Sequence, residues 1–130
     1  MVEYVDLLGK EFKIGATGPD KYDCYHLYRE LSKRVGVELP LYISPTEPNL
    51  IEELIKEDSE KLFDKLDKPE PYCMVLFMIK YPYVSHMGFV LEDCQRFIHI
   101  FPKSRVTVER LKDISWNHRI RGYLRWRKQP

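Results

Sequence analysis

Cys24, His86 and His99 are the side chains whose types and order in this sequence could carry out nucleophilic chemistry. A cysteine attacks as its thiolate, so it needs surroundings that stabilise the anion or a base that takes the proton. Cys24 lies where a run of turn formers, Gly15 to Asp20, gives way to helical spacing of Leu27, Tyr28, Leu31 and Val35. Asp23 suits the N-cap, which puts Cys24 in the first turn, where backbone N–H groups and the helix dipole favour negative charge. The same pattern fits a buried, inert thiol, the usual fate of a free cysteine. The local sequence leaves both readings open.

The base must come from elsewhere in the chain. There are four histidines. His26 lies two residues beyond Cys24, on a different face of the same helix, and serves it poorly. His118 falls in a polar loop. His86 and His99 fall on the two strands of a hairpin that turns at Glu92-Asp93. Adjacent strands lie about 5 Å apart, so two histidines on one face can hydrogen-bond each other. Packing the start of the Cys24 helix on that face would complete a Cys–His–His set, with His86 as general base and His99 orienting its ring. A register slip of one residue would turn His99 away.

The elements that must position these residues can be read in order. Val5 to Gly9 forms a short helix stopped by glycine. Glu11 to Ile14 is briefly extended. The cysteine helix spans roughly Cys24 to Val35, and Pro40 forbids its continuation. A loop from Ser44 to Pro48 leads to a second, amphipathic helix from Asn49 to about Leu66. The apolar run Cys73 to Ile79 is a buried strand bounded by prolines. His86 to Leu91, Arg96 to Ile100, Arg105 to Val108 and Ile120 to Trp126 are further strands, and Val108 to Leu111 leads into a turn or short helix. Helices first and strands afterwards predict an α+β domain with an antiparallel sheet of about five strands.

The 130 residues suit one domain, 1–130. A net charge of +1 offers no general attraction for nucleic acid, and the basic stretch Arg119 to Lys128 reads as a solvated strand end. No run of about 18 apolar residues is present to span a membrane. The N-terminus lacks an apolar signal region, which predicts a cytoplasmic protein as encoded. Three cysteines with no C-x-x-C pair argue against a disulfide framework and a structural zinc site. Thiol chemistry requires neither metal nor cofactor, and none is expected.

The motifs resemble a known family. Asp23-Cys24-Tyr25-His26-Leu27 is similar to the Asp-Cys-Ser-Gly-Leu signature of the NlpC-type papain-like cysteine peptidases. Ser85-His86-Met87-Gly88-Phe89-Val90-Leu91 resembles their Ser-His-Val-Gly-Ile-Tyr-Leu strand, and Phe97-Ile98-His99-Ile100 their Phe-Ile-His-Ala. The segment Tyr22 to Pro40 most resembles the phage-tail and prophage subgroup, and residues 44–68 look like a helical insertion. The resemblance implies a papain-like fold, with the nucleophile helix packed on a central antiparallel sheet. It implies Cys24 as nucleophile, His86 as base and His99 as the orienting third residue. Asp23, Tyr25, Phe12 and Ser85 fall at positions expected to contact substrate. The implied reaction is hydrolysis of amide or peptide bonds through an acyl-enzyme, on peptide or peptidoglycan-fragment substrates. A phage-tail or other protein partner and association with a virion are further implications.

Several positions depart from the family pattern, among them Ile14-Gly15-Ala16, which stands where the opening loop has Trp-Gly-Gly. Phe12 replaces a tyrosine, Tyr25 replaces the serine after the cysteine, and His26 replaces the glycine. The Asp and Ser around the cysteine hold the free amine of the substrate in cell-wall members, so Tyr25 changes that pocket. The alternative is a catalytically weak or inactive binding or structural module of this fold, such as a phage-tail component.

Overall fold

The computed structural model describes residues 1–42 and 45–127. Ser44, at the start of the expected insertion, and Lys128, at the end of the basic stretch, lie outside the described residues. A 3₁₀ turn at Val5–Leu7 precedes two short parallel strands, β1 (Glu11–Phe12) and β2 (Lys21–Tyr22). Helix α1 (Cys24–Arg34) follows directly, then α2 (Pro48–Leu62). The remaining strands are β3 (Phe63–Leu66), β4 (Met74–Lys80), β5 (Tyr83–Val90), β6 (Arg96–Ile100), β7 (Val106–Arg110) and β8 (Ile120–Trp126). A short α3 (Ile114–Asn117) precedes the last. Strands β3 to β8 form one antiparallel sheet in the order β3-β8-β4-β5-β6-β7. The architecture is α+β, with six strands in the main sheet where about five were expected.

The sixth strand comes from residues that the sequence assigned to a helix. The spacing of Leu62, Phe63 and Leu66 continues that of Leu54 and Ile55, which extends the expected helix to Leu66. In the structure α2 ends at Leu62 and Phe63–Leu66 pairs with β8, Phe63 opposite Trp126. The two rings meet edge to face with centroids 5.5 Å apart. Phe63 is buried there. Tertiary pairing overrides a weak helical preference.

The sheet is covered on both faces. On one, α1 buries Leu27, Tyr28 and Leu31 against Met87, Phe89, Ile98 and Ile100. Each such buried side chain contributes about 1.5–3 kcal/mol. The Tyr28 hydroxyl also donates to Tyr72 O at 2.9 Å. On the other face Val75, Phe77, Val90 and Phe97 pack with Leu111 and Trp116. Gly88 lies under close-packed side chains: a Cβ there would stand 2.8 Å from Phe97 Cδ2 and 3.2 Å from Val75 Cγ1. A glycine between His86 and the β5–β6 turn is therefore a packing requirement.

Candidate active site

Asp23 starts α1 as its N-cap, with extended backbone and Oδ1 accepting from His26 N at 2.7 Å. The same oxygen accepts from His26 Nδ1 at 2.8 Å. His26 is therefore a buried support for the cap, as its helical face suggests. Its Nε2 is buried without a hydrogen-bond partner among the described residues. The glycine that the family pattern has here leaves this space empty of side chain. In this chain an imidazole fills it, with Tyr25 packed against its ring at 5.1 Å. The Tyr25 hydroxyl donates to Pro40 O at 2.6 Å.

His86 and His99 meet. β5 and β6 pair with Phe89 opposite Ile98 and Val90 opposite Phe97. That register puts His99 two residues across from His86 on one face of the sheet. The His86 Nε2 to His99 Nδ1 distance is 2.7 Å. Both rings are buried, amid Phe77, Phe97, Phe101 and Trp116. This is the face opposite the one on which α1 packs, so the expected docking of the cysteine helix on the histidine face does not occur. Helix α1 sits on the alternate residues, Met87 and Phe89. His86 nonetheless lines the same cavity as Cys24, at the irregular end of β5. Phe77 pairs with His86 and Met78 with Val84, which leaves Ser85 as an extra residue in β5. Such a bulge bends the strand and re-aims the neighbouring side chain.

Behind the histidines lies a carboxylate that the sequence reading did not single out. His99 Nε2 is 2.5 Å from Glu109 Oε2. Strand β7 was expected to end at Val108, with Glu109 in a turn. It runs to Arg110, and His99 pairs with Thr107. Glu109 therefore projects on the same side as Thr107, next to His99. Alternation from Thr107 would have found it, had the strand been extended by two residues.

A carboxylate can only accept, so His99 Nε2 carries the hydrogen toward Glu109. A neutral His99 then presents the lone pair of Nδ1 to His86, and His86 Nε2–H donates to it. His86 Nδ1 is left as the proton-accepting nitrogen. The ring tautomers are thus set in sequence from Glu109 inward.

Cys24, His86, Asp23, Tyr25, Phe12 and Ser85 line one cavity of about 330 Å³. His99 is one step behind it, reached through His86. The wall facing Cys24 is formed by α2, through Ile51, Leu54 and Ile55. Glu52 holds that helix in place by accepting from Val84 N at 2.7 Å, two residues before His86.

The electrostatics differ from those expected of a cysteine at a helix start. Although Cys24 is half-buried by surface area, protein closely surrounds its sulfur. Burial pushes the thiol up to about 12, with the Asp23 carboxylate adding to the shift. The backbone N–H groups of Tyr25, Met87 and Cys24 oppose it without prevailing. Desolvation outweighs the helix dipole, and the resting cysteine is a neutral thiol. Burial, and then the neighbouring His99, hold His86 well below the ordinary imidazole value. Burial also lowers His99, and the Glu109 carboxylate works against that shift. Both partners in the expected proton transfer are neutral at neutral pH.

The model of the NlpC/P60 family matches residues 9–125. No curated protein matches the chain. Among solved structures, a lipoprotein-like NLP/P60 family protein from Staphylococcus aureus superimposes with a TM-score of 0.66 at 18% identity. That match covers 95% of this chain and 38% of the other. NlpC2 from Trichomonas vaginalis gives 0.67 at 16% identity, covering 94% and 43%. An NLPC/P60 family protein from Bacillus cereus gives 0.67 at 17%, covering 92% and 36%. The chain spans about two fifths of the length of the structures it matches. At these identities the likeness establishes a shared fold.

Proposed function

We propose that this chain, which belongs to the NlpC/P60 family, is a thiol hydrolase that cleaves an amide or peptide bond through an acyl-enzyme. Members of the family are generally cell-wall peptidases, mostly cysteine peptidases and amidases. The observation that carries the reading is the Glu109–His99–His86 hydrogen-bond chain, whose last ring lines the same cavity as Cys24.

The steps follow from the tautomers. Cys24 Sγ attacks the acyl carbon while His86 Nδ1 takes the thiol proton. The C–N bond breaks, the leaving amine takes that proton from His86, and the acyl group stays on sulfur as a thioester. Water then adds to the thioester, giving a proton to His86, and the acid departs as the thiol is restored. The imidazolium formed transiently on His86 is stabilised through His99 by Glu109. The backbone N–H groups of Cys24 and Tyr25, at the start of α1 and beside the sulfur, are the donors for charge developing on the acyl oxygen. A neutral resting pair makes His86 a general base during attack, in place of a standing thiolate–imidazolium pair.

The test is turnover of cell-wall stem peptides and of simple acyl amides and esters by the wild type and by Cys24→Ala. The reading expects release of product with the wild type and none above background with Cys24→Ala. Equal rates would overturn it.

A further inference from the structure

We infer that the cavity beside Cys24 takes an apolar acyl group, in place of the free-amine peptide end used by cell-wall members. This rests on the thiol-hydrolase reading and names the substrate class of that site. Three observations converge on it.

First, α2 is amphipathic, yet its apolar residues are only partly packed away, Ile55 and Leu62 lying against the core. Its buried position is Ser59, while Ile51, Leu54 and Ile55 stay half-buried and face the cavity. An apolar stripe directed into open space beside a nucleophile is half of an interface, and a substrate completes it. Second, Phe12, Met74, Met87 and Phe101 add further apolar lining, beside a smaller polar share that includes Asp58, Lys80 and Ser85. Phe12 stands where the family pattern has a tyrosine hydroxyl. Third, the polar groups nearest Cys24 are already engaged within the protein. Asp23 Oδ1 takes two bonds from His26, and the Tyr25 hydroxyl is given to Pro40 O. Asp58, a further carboxylate of the lining, is hydrogen-bonded with Tyr42. A substrate ammonium would have to displace these bonds, whereas an alkyl or aromatic acyl group displaces only water. The occupant follows from continuity: Cys24 is part of the lining of the apolar space, so the group that fills it belongs to the acyl carbon that the sulfur attacks.

The experiment separates this inference from catalysis by using Cys24→Ala, which binds without turnover. Binding of N-acyl glycinamides is measured by calorimetry in three series. One carries linear acyl groups from acetyl to octanoyl, one carries N-acetylated alanyl, leucyl and phenylalanyl groups, and one carries alanyl-γ-glutamyl groups with a free amine. Each methylene buried contributes about fourfold in affinity. Affinity is expected to rise steeply along the linear series, the blocked amino-acid series, or both, and which one rises identifies the source of the apolar group. The free-amine series is expected to bind no better than acetyl. Leu54→Gln and Ile55→Gln, checked for folding by circular dichroism, are expected to flatten the rise. Flat affinity in both apolar series, or tighter binding of the free-amine series, overturns the inference. Failure of the wild type to turn over any compound would count against the thiol-hydrolase reading alone, because the binding series is read without it.

Discussion

His99 Nε2 and Glu109 Oε2 are 2.5 Å apart, across the β6–β7 pair and behind the imidazole of His86. The contact turns two histidines into a directed chain. With an acceptor-only carboxylate at its end, each ring has one permitted tautomer, and the open nitrogen falls on His86 Nδ1.

Glu109 is therefore a positioning residue, and its removal acts through His99. Glu109→Gln is expected to lower kcat/KM on the order of tenfold. The fall should lie in kcat, with KM little changed. Its amide can donate to His99 and so permits the wrong tautomer. Glu109→Asp should recover part of the loss. His86→Ala removes the base itself and is expected to cost about 10²–10⁴ in kcat. Steady-state kinetics of the three variants check the order. Equal kcat for Glu109→Gln and the wild type would leave the carboxylate without a role in the reaction.

The buried imidazoles tie stability to pH. The folded state holds His86 well below its ordinary value of 6.5, through burial and His99. Above pH 6.5 the ring is neutral in both states and the folded protein has its full stability. As pH falls below 6.5 the unfolded chain takes up a proton that the folded state refuses, and stability drops toward the lower folded pKa. The slope reaches about 1.4 kcal/mol per pH unit for one such group. Urea unfolding between pH 7 and pH 5 measures it. His86→Gln should flatten the curve over that window.

The same shifts set the pH dependence of the reaction. A neutral thiol raised to about 12 and a depressed imidazole give activity a plateau through neutral pH. Its acid limb should lie below pH 6.5, where His86 protonates, because attack needs that ring neutral. A pH–kcat/KM profile with an acid limb at or above pH 7 would contradict the neutral-pair account.

Gly88 holds the sheet spacing on which the histidine contact depends. Gly88→Ala puts a methyl 2.8 Å from Phe97 and 3.2 Å from Val75. The expected cost is about 1–3 kcal/mol of stability, read from denaturant midpoints. Loss of activity should accompany it as β5 and β6 move apart.

Much of this was legible in the residues. The N-cap Asp23, the helix after it and the strands β4, β6 and β8 follow from capping, apolar runs and alternation. The meeting of His86 and His99 follows from hairpin geometry. Other features depend on distant pairing. Phe63–Leu66 joins β8 because Trp126, 63 positions after Phe63, comes back to it, which no local pattern encodes. Glu109 was hidden by a strand that ends two residues later than its β-branched stretch. The irregular end of β5 depends on the extra residue at Ser85, just before His86, and bulges leave little mark in a sequence. The thiol's shift could not be judged from a helix start alone, since enclosure by the fold outweighs the dipole.

The central claim is that Cys24 is acylated with His86 as its base. Intact-protein and peptide mass spectrometry after mixing with p-nitrophenyl acetate at pH 7 tests this most directly. The account predicts a single acetyl adduct on Cys24, formed at least about a hundredfold more slowly in His86→Ala. Cys73, whose thiol is likewise pushed up to about 12 by burial, should stay unmodified. An adduct confined to Cys73 or Cys94, or equal rates of Cys24 acetylation with and without His86, would contradict the account.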